Sequence, residues 1–89
     1  MVYEVLNEKH GTRQTYVTRT YDSDTDWIRT TRKDKVYVLS GEGWYIQYED
    51  EYPNKLTIGQ QFYLPEALTY KLFNKDKTDS NLCLKVEFI

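Results

Sequence analysis

Asp22, Asp24 and Asp26 alternate along the chain, and this is the first place where residue type and spacing could do chemistry. Alternating carboxylates can converge on one cation, as at the opening of a calcium-binding loop. The rest of such a loop is missing. The position that needs glycine for the sharp turn is Trp27, and the closing bidentate carboxylate position is Lys33. The segment is therefore expected to be a solvated turn. Glu49-Asp50-Glu51, beside Pro53-Asn54, reads as a solvated hairpin tip. The single histidine, His10, falls in a turn-forming stretch with Lys9 and Gly11 and reads as a solvated turn residue. Cys83 is alone, which rules out an internal disulfide. Trp44, Tyr45 and Tyr48 make an aromatic strand. Its use is core and interface packing, with stacking on a sugar ring as the sharper alternative.

The elements that must position these residues are strands throughout. Segments 2–6, 13–21, 27–31, 35–40, 43–48, 55–58, 61–64, 69–74 and 81–89 are rich in β-branched and aromatic residues. Turn-forming residues separate them: Ser40-Gly41-Glu42-Gly43, Glu51-Tyr52-Pro53-Asn54, Ile58-Gly59 and Pro65-Glu66-Ala67 among others. No window of eleven or more residues carries a helical apolar stripe. Nine short strands at this spacing predict an all-β sandwich or barrel. In the segment from Asp34, side-chain alternation puts Asp34, Val36 and Val38 on one face, so a single carboxylate stands above an apolar row.

Composition sets the limits. The chain has 89 residues, which makes residues 1–89 one domain. A domain of this size buries roughly 60–65% of its unfolded surface, so its core is modest. Nine Tyr, three Phe and two Trp compensate, because each aromatic buries a large area. The net charge is −2 with both signs spread along the chain. No basic stripe exists to neutralise phosphates, which excludes a nucleic-acid partner. No apolar run reaches the roughly 18 residues of a membrane span, and no signal-peptide pattern opens the chain. A cytoplasmic protein without a membrane partner is expected.

The stretch Gly59-Gln-Gln-Phe-Tyr-Leu-Pro65-Glu-Ala67-Leu-Thr-Tyr70-Lys-Leu-Phe-Asn74 is the most specific in the chain. Its Gly59, Pro65 and Asn74 match, in correct spacing, the second motif of the cupin family of small β-barrels (RmlC-like jelly rolls). Asp34, with six residues between it and Gly41, resembles the end of the first cupin motif. The resemblance covers about residues 27–89 and implies a double-stranded β-helix, or jelly-roll barrel. It also implies a metal site, and there this chain departs. Tyr70 stands where the second motif has a histidine, and Ala67 where it has a glycine. The histidine pair of the first motif falls on Ile28 and Thr30, or on Trp27 and Arg29 with the longer spacing. Asp34 is the one surviving acid. One carboxylate and one phenol make a poor divalent site at neutral pH, so no metal and no cofactor are expected.

What the resemblance leaves is a cavity mouth at Trp27, Arg29, Thr30, Asp34 and Tyr70, which are the ligand-binding candidates. Some cupin-fold sugar epimerases work without metal through a histidine base and a tyrosine acid. Here the only candidates for such roles are Asp34 as base, if burial raises its pKa, and Tyr70 as acid. The reading adopted is non-enzymatic: a metal-free binding or accessory domain, homodimeric, with a small polar or carbohydrate ligand. A metal-independent carbohydrate isomerase or epimerase using Asp34 and Tyr70 is the alternative. The plain expectation is that Tyr70 fills the former metal cavity and bonds to Asp34. An open cavity with Asp34 and Tyr70 at hydrogen-bond distance, walled by aromatics, would favour the enzyme, and a cavity filled by Tyr70, Ile28 and the valines the non-enzymatic role. Small cupins commonly pair through N-terminal strands, and segments 2–6 and 13–21 offer them.

Overall fold

The computed structural model describes residues 2–8 and 15–88, with side chains from residue 16 onward. His10, the turn around it, the start of the expected second strand and Ile89 lie outside the described residues. Nine strands are described: β1 (Val2–Glu8), β2 (Thr15–Tyr21), β3 (Ile28–Arg29), β4 (Asp34–Ser40), β5 (Trp44–Tyr48), β6 (Asn54–Lys55), β7 (Gln61–Leu64), β8 (Thr69–Asn74) and β9 (Leu82–Phe88). They form two antiparallel sheets, in the orders β1-β2-β9-β4-β7 and β3-β8-β5-β6. Consecutive strands mostly lie in different sheets or apart in one sheet, as a jelly roll requires. Among the described residues no helix is long and apolar enough to cross a membrane.

Period-two alternation sorts the side chains. Val17 and Tyr21 of β2, Val36 and Val38 of β4, Trp44 and Ile46 of β5, Leu72 of β8 and Leu82, Leu84 and Val86 of β9 all point between the sheets and are buried. Two charged residues share these inward rows. Asp34 precedes Val36 and Val38 as expected, and Arg19 falls between Val17 and Tyr21. The sheets thus enclose an apolar middle with polar groups on its inner wall.

The two ends of the barrel differ. At one end Trp44 donates from Nε1 to the Ser80 carbonyl at 2.7 Å. Asn74 Nδ2 donates to the Thr78 carbonyl at 2.7 Å, and Thr78 N donates back to Asn74 Oδ1 at 3.1 Å. Thr78 Oγ1 in turn donates to the Glu42 carbonyl at 2.6 Å. These bonds tie the turn at 41–43 to the turn at 75–80. Gly43 is held there at φ 83°, and a methyl group on it would meet Thr78 Cγ2 at 2.5 Å. The other end carries Asp34, Tyr70 and the short β3 strand.

Two strands are shorter than the sequence suggests. The expected strand 27–31 pairs only at Ile28 and Arg29, opposite Tyr70 and Thr69. The expected strand 55–58 is instead Asn54–Lys55, opposite Ile46 and Tyr45. Leu56 then leaves the ladder to enter the core, while its N–H still reaches the Trp44 carbonyl at 2.9 Å. The Asp22–Asp26 segment is also more than a solvated turn. Asp24 Oδ1 accepts from Asn74 N at 2.8 Å, and Thr25 Oγ1 accepts from Leu72 N at 3.0 Å. The segment runs along β8 and satisfies backbone donors that no strand reaches.

Ala67 has φ 61°. This is the left-handed region, which costs a residue with a Cβ roughly 1–2 kcal/mol. Ala67→Gly is expected to raise stability by about 0.5–1 kcal/mol, after the greater freedom of glycine in the unfolded chain is subtracted. Urea unfolding of the two proteins checks this. A destabilised Ala67→Gly protein would mean that the methyl group packs productively.

Candidate functional site

Asp34 opens β4, where it pairs with Leu64 near the end of β7 and with Phe88 at the end of β9. Tyr70 lies near the start of β8, between Ile28 of β3 and Tyr48 of β5. Both sheets therefore deliver a polar inward residue to the same end of the barrel. Between them is a cavity of ≈ 320 Å³ lined by Arg19, Ile28, Arg29, Thr30, Thr31, Arg32, Asp34 and Tyr70.

Asp34 is 9% exposed. Its Oδ1 is buried and has no hydrogen-bond partner. Arg32 Nε lies 3.5 Å from the same oxygen. That distance gives an ion pair but not a hydrogen bond, so the acceptor remains unused. The Arg32 guanidinium is held in place from behind, with Cζ 3.6 Å from the centroid of the Phe88 ring. Burial pushes the Asp34 carboxyl above its ordinary value, and the Arg32 and Arg19 charges only partly offset this.

Tyr70 is 4% exposed, and burial pushes its phenol up to about 12, with the Tyr21 ring adding to the effect and Arg19 opposing it. It is neutral at any ordinary pH. No hydrogen bond joins it to Asp34 among the described residues. The expected Tyr70–Asp34 bond is therefore not formed, and the ring fills only part of the space. A polar cavity remains beside it.

The other ligand-binding candidates divide. Arg29 and Thr30 line the cavity. Thr30 is also structural, because its hydroxyl donates to the Pro65 carbonyl and accepts from Leu68 N at 2.9 Å. Its backbone bonds to the same turn through Leu68 and Ala67. Trp27 does not line the cavity. Its ring is half-exposed at the surface, with Lys71 Nζ 4.8 Å from its centroid. Two cavity cations went unread in the sequence. Arg19 is legible as the charged member of the inward row Val17, Arg19, Tyr21. Arg32 sits in the bend before β4, and it is this bend rather than strand alternation that brings it to Asp34.

Sequence comparison finds no matching family model and no matching curated protein. Solved structures do match. A cupin superfamily protein from Desulfitobacterium hafniense is 11% identical, with a TM-score of 0.74 over 100% of this chain and 77% of that one. A cupin domain from Bordetella pertussis is 14% identical, with a TM-score of 0.72 over 99% of this chain and 92% of that one. A cupin-2 domain protein from Shewanella frigidimarina is 12% identical, with a TM-score of 0.73 over 96% of this chain and 78% of that one. The fold is a cupin fold.

The metal site that the cupin resemblance implies does not fit the residues present. Its positions hold Ile28 and Thr30, or Trp27 and Arg29, with Asp34 and Tyr70. One carboxylate, a phenol held neutral and a hydroxyl already bonded twice are joined by guanidiniums, which repel a cation. Among the described residues no group of three or more His, Cys, Asp or Glu converges anywhere.

Asp34 also makes stability depend on pH. Below its ordinary value of 3.8 the carboxyl is protonated in both states and costs nothing. As pH rises through 3.8 the unfolded chain ionises first, so Asp34 subtracts stability until the folded carboxyl ionises too. Asp34→Asn is thus expected to gain stability over the parent as pH rises from about 3 to 7. Urea melts of both proteins across that range measure the gap. A constant or shrinking gap would show that Asp34 is not desolvated.

Proposed function

We propose that this domain is a metal-free, non-enzymatic binding module of cupin fold, whose cavity at the Asp34 end holds a small polar ligand. One observation carries the reading: Asp34, whose carboxylate keeps one buried oxygen without a hydrogen-bond partner, lines a cavity of ≈ 320 Å³. A buried acceptor left unsatisfied costs about 1–3 kcal/mol, which a bound donor would relieve. The volume is at the lower edge of ligand-sized pockets. A catalytic reading has less support, because the walls offer no imidazole and Tyr70 and Asp34 are not hydrogen-bonded to each other.

A thermal-shift screen of polar metabolites tests the proposal, run beside a Thr31→Trp variant. Thr31 is exposed on the cavity rim, so the new ring should fill the cavity without disturbing the core. Compounds that stabilise the parent should fail to stabilise this variant. Equal shifts in both proteins, or none in the parent, would sink the reading. Elemental analysis of the dialysed protein should find no stoichiometric iron, manganese, zinc or nickel.

The proposal includes a homodimer. β1 and β7 are open edges of the five-stranded sheet, and such edges invite pairing. Leu39, Ile58 and Tyr63 are large apolar side chains left at least 47% exposed. Sedimentation equilibrium should return about twice the chain mass of 10.7 kDa. A single 10.7 kDa species at high concentration would overturn the dimer.

A further inference from the structure

Three guanidiniums and one carboxylate line the cavity, those of Arg19, Arg29 and Arg32 against that of Asp34. Arginine is always protonated; Arg19 has interactions of its own, and Arg29 and Arg32 against an ionised Asp34 leave a formal charge of two minus one, or +1. Asp34 already faces the Arg32 charge at 3.5 Å. Its negative charge is matched, yet its Oδ1 still lacks a hydrogen bond. Such an oxygen calls for a neutral donor. A cationic donor would instead meet the excess positive field. The guanidinium of Arg32 lies over the Phe88 ring, 3.6 Å from its centroid, and keeps N–H groups that Asp34 does not use. Planar N–H forks of this kind match carboxylate and phosphate oxygens. Arg29 stands on the exposed rim and makes no ion pair among the described residues.

We infer that the cavity takes a small organic anion bearing a hydroxyl group, its carboxylate or phosphate on Arg29 and Arg32 and its hydroxyl donating to the Asp34 carboxylate. This rests on the binding-module reading and names the ligand class for the same cavity. Neutral sugars would satisfy Asp34 but leave the guanidiniums without an anion. Plain carboxylates would do the reverse. Amino sugars would bring a further unwanted cation to the field.

Isothermal titration of the full chain with five probes separates these cases: glucuronate, glucose 6-phosphate, glucose, glucosamine and cyclohexanecarboxylate. Glucuronate or glucose 6-phosphate should bind at least about tenfold more tightly than the other three. The better of the two tells whether the anionic group is a carboxylate or a phosphate. Binding should weaken with added salt. Arg29→Gln, at an exposed position that leaves the core intact, should lose about tenfold or more for the anion and nothing for glucose. Glucose binding as tightly as glucuronate, or glucuronate binding indifferent to salt and to Arg29→Gln, would overturn the anion while leaving the binding pocket standing. Cyclohexanecarboxylate matching glucuronate would overturn the hydroxyl. Silence from all five probes would overturn the inference as a whole, and the Thr31→Trp screen would then judge the pocket independently.

Discussion

Tyr70→Ala is expected to lower the stability of this domain by about 3–5 kcal/mol, the range for truncating a buried aromatic ring. The ring lies between the sheets, 4% exposed and packed within the core cluster. Its neighbours across the ladder are Ile28 and Tyr48, which come from separate strands. Those strands cannot close over the gap without shifting the β3–β8–β5 register. Tyr70→Phe isolates the hydroxyl. With no bond from it to Asp34, the loss at neutral pH should stay below about 1 kcal/mol. The same variant should differ more in alkali. The unfolded phenol ionises near 10, whereas the folded one resists to about 12. Across that window the parent loses stability as pH rises, by about 1.4 kcal/mol per unit, and Tyr70→Phe is spared that share. Urea melts at neutral and alkaline pH read all three proteins. A Tyr70→Ala protein as stable as its parent would mean that the ring is exposed and the strand register is wrong.

Much of this architecture was legible because the informative rules are local. Alternation alone assigned Asp34, Val36 and Val38 to one face. The turn residues Gly41, Gly43 and Gly59 all have positive φ, as their spacing between strands suggests. At Ala67 the sequence departed from the cupin motif, yet the backbone kept the left-handed conformation. There the geometry of the turn outlasted the residue best suited to it. The short strands were misjudged for the opposite reason. Whether β3 extends past Arg29 depends on what β8 presents to it, and Thr30 turns instead to the Pro65–Leu68 turn. Propensity cannot see such a partner. The cavity was half legible. The motif brought Arg29, Thr30, Asp34 and Tyr70 to one end, but Arg19 is 15 residues from Asp34 in sequence and arrives only through the β2–β9–β4 pairing. Trp27 lies just before the two-residue β3 strand, and its ring sits beside Lys71 instead of in the cavity, a contact that strand propensity does not show.

Trp44→Ala should cost about as much as Tyr70→Ala, on the order of 3–5 kcal/mol, but through the opposite end of the barrel. Trp44 is 1% exposed and is among the largest fully buried side chains. Its indole also closes the β8–β9 connection, by donating from Nε1 to the Ser80 carbonyl. Removing the ring leaves a cavity and an acceptor without its donor. Trp44→Phe keeps most of the apolar volume and loses the bond, so a cost of about 1–3 kcal/mol is expected. A domain of this size has a total stability of roughly 4–13 kcal/mol. The alanine variant would therefore approach the unfolding threshold at 37 °C. Yet Trp44 pairs with Asn74, and Tyr70 pairs with Tyr48 at the far end of the same two strands. The cavity lies at the other end of these strands, so whatever fraction of Trp44→Ala remains folded should bind ligand with the parent's affinity. Urea unfolding with an unchanged m-value gives the stability loss, and titration below the transition gives the affinity. A cost under about 1 kcal/mol would contradict the burial. A loss of affinity in the folded protein would show that the two ends of the barrel are coupled.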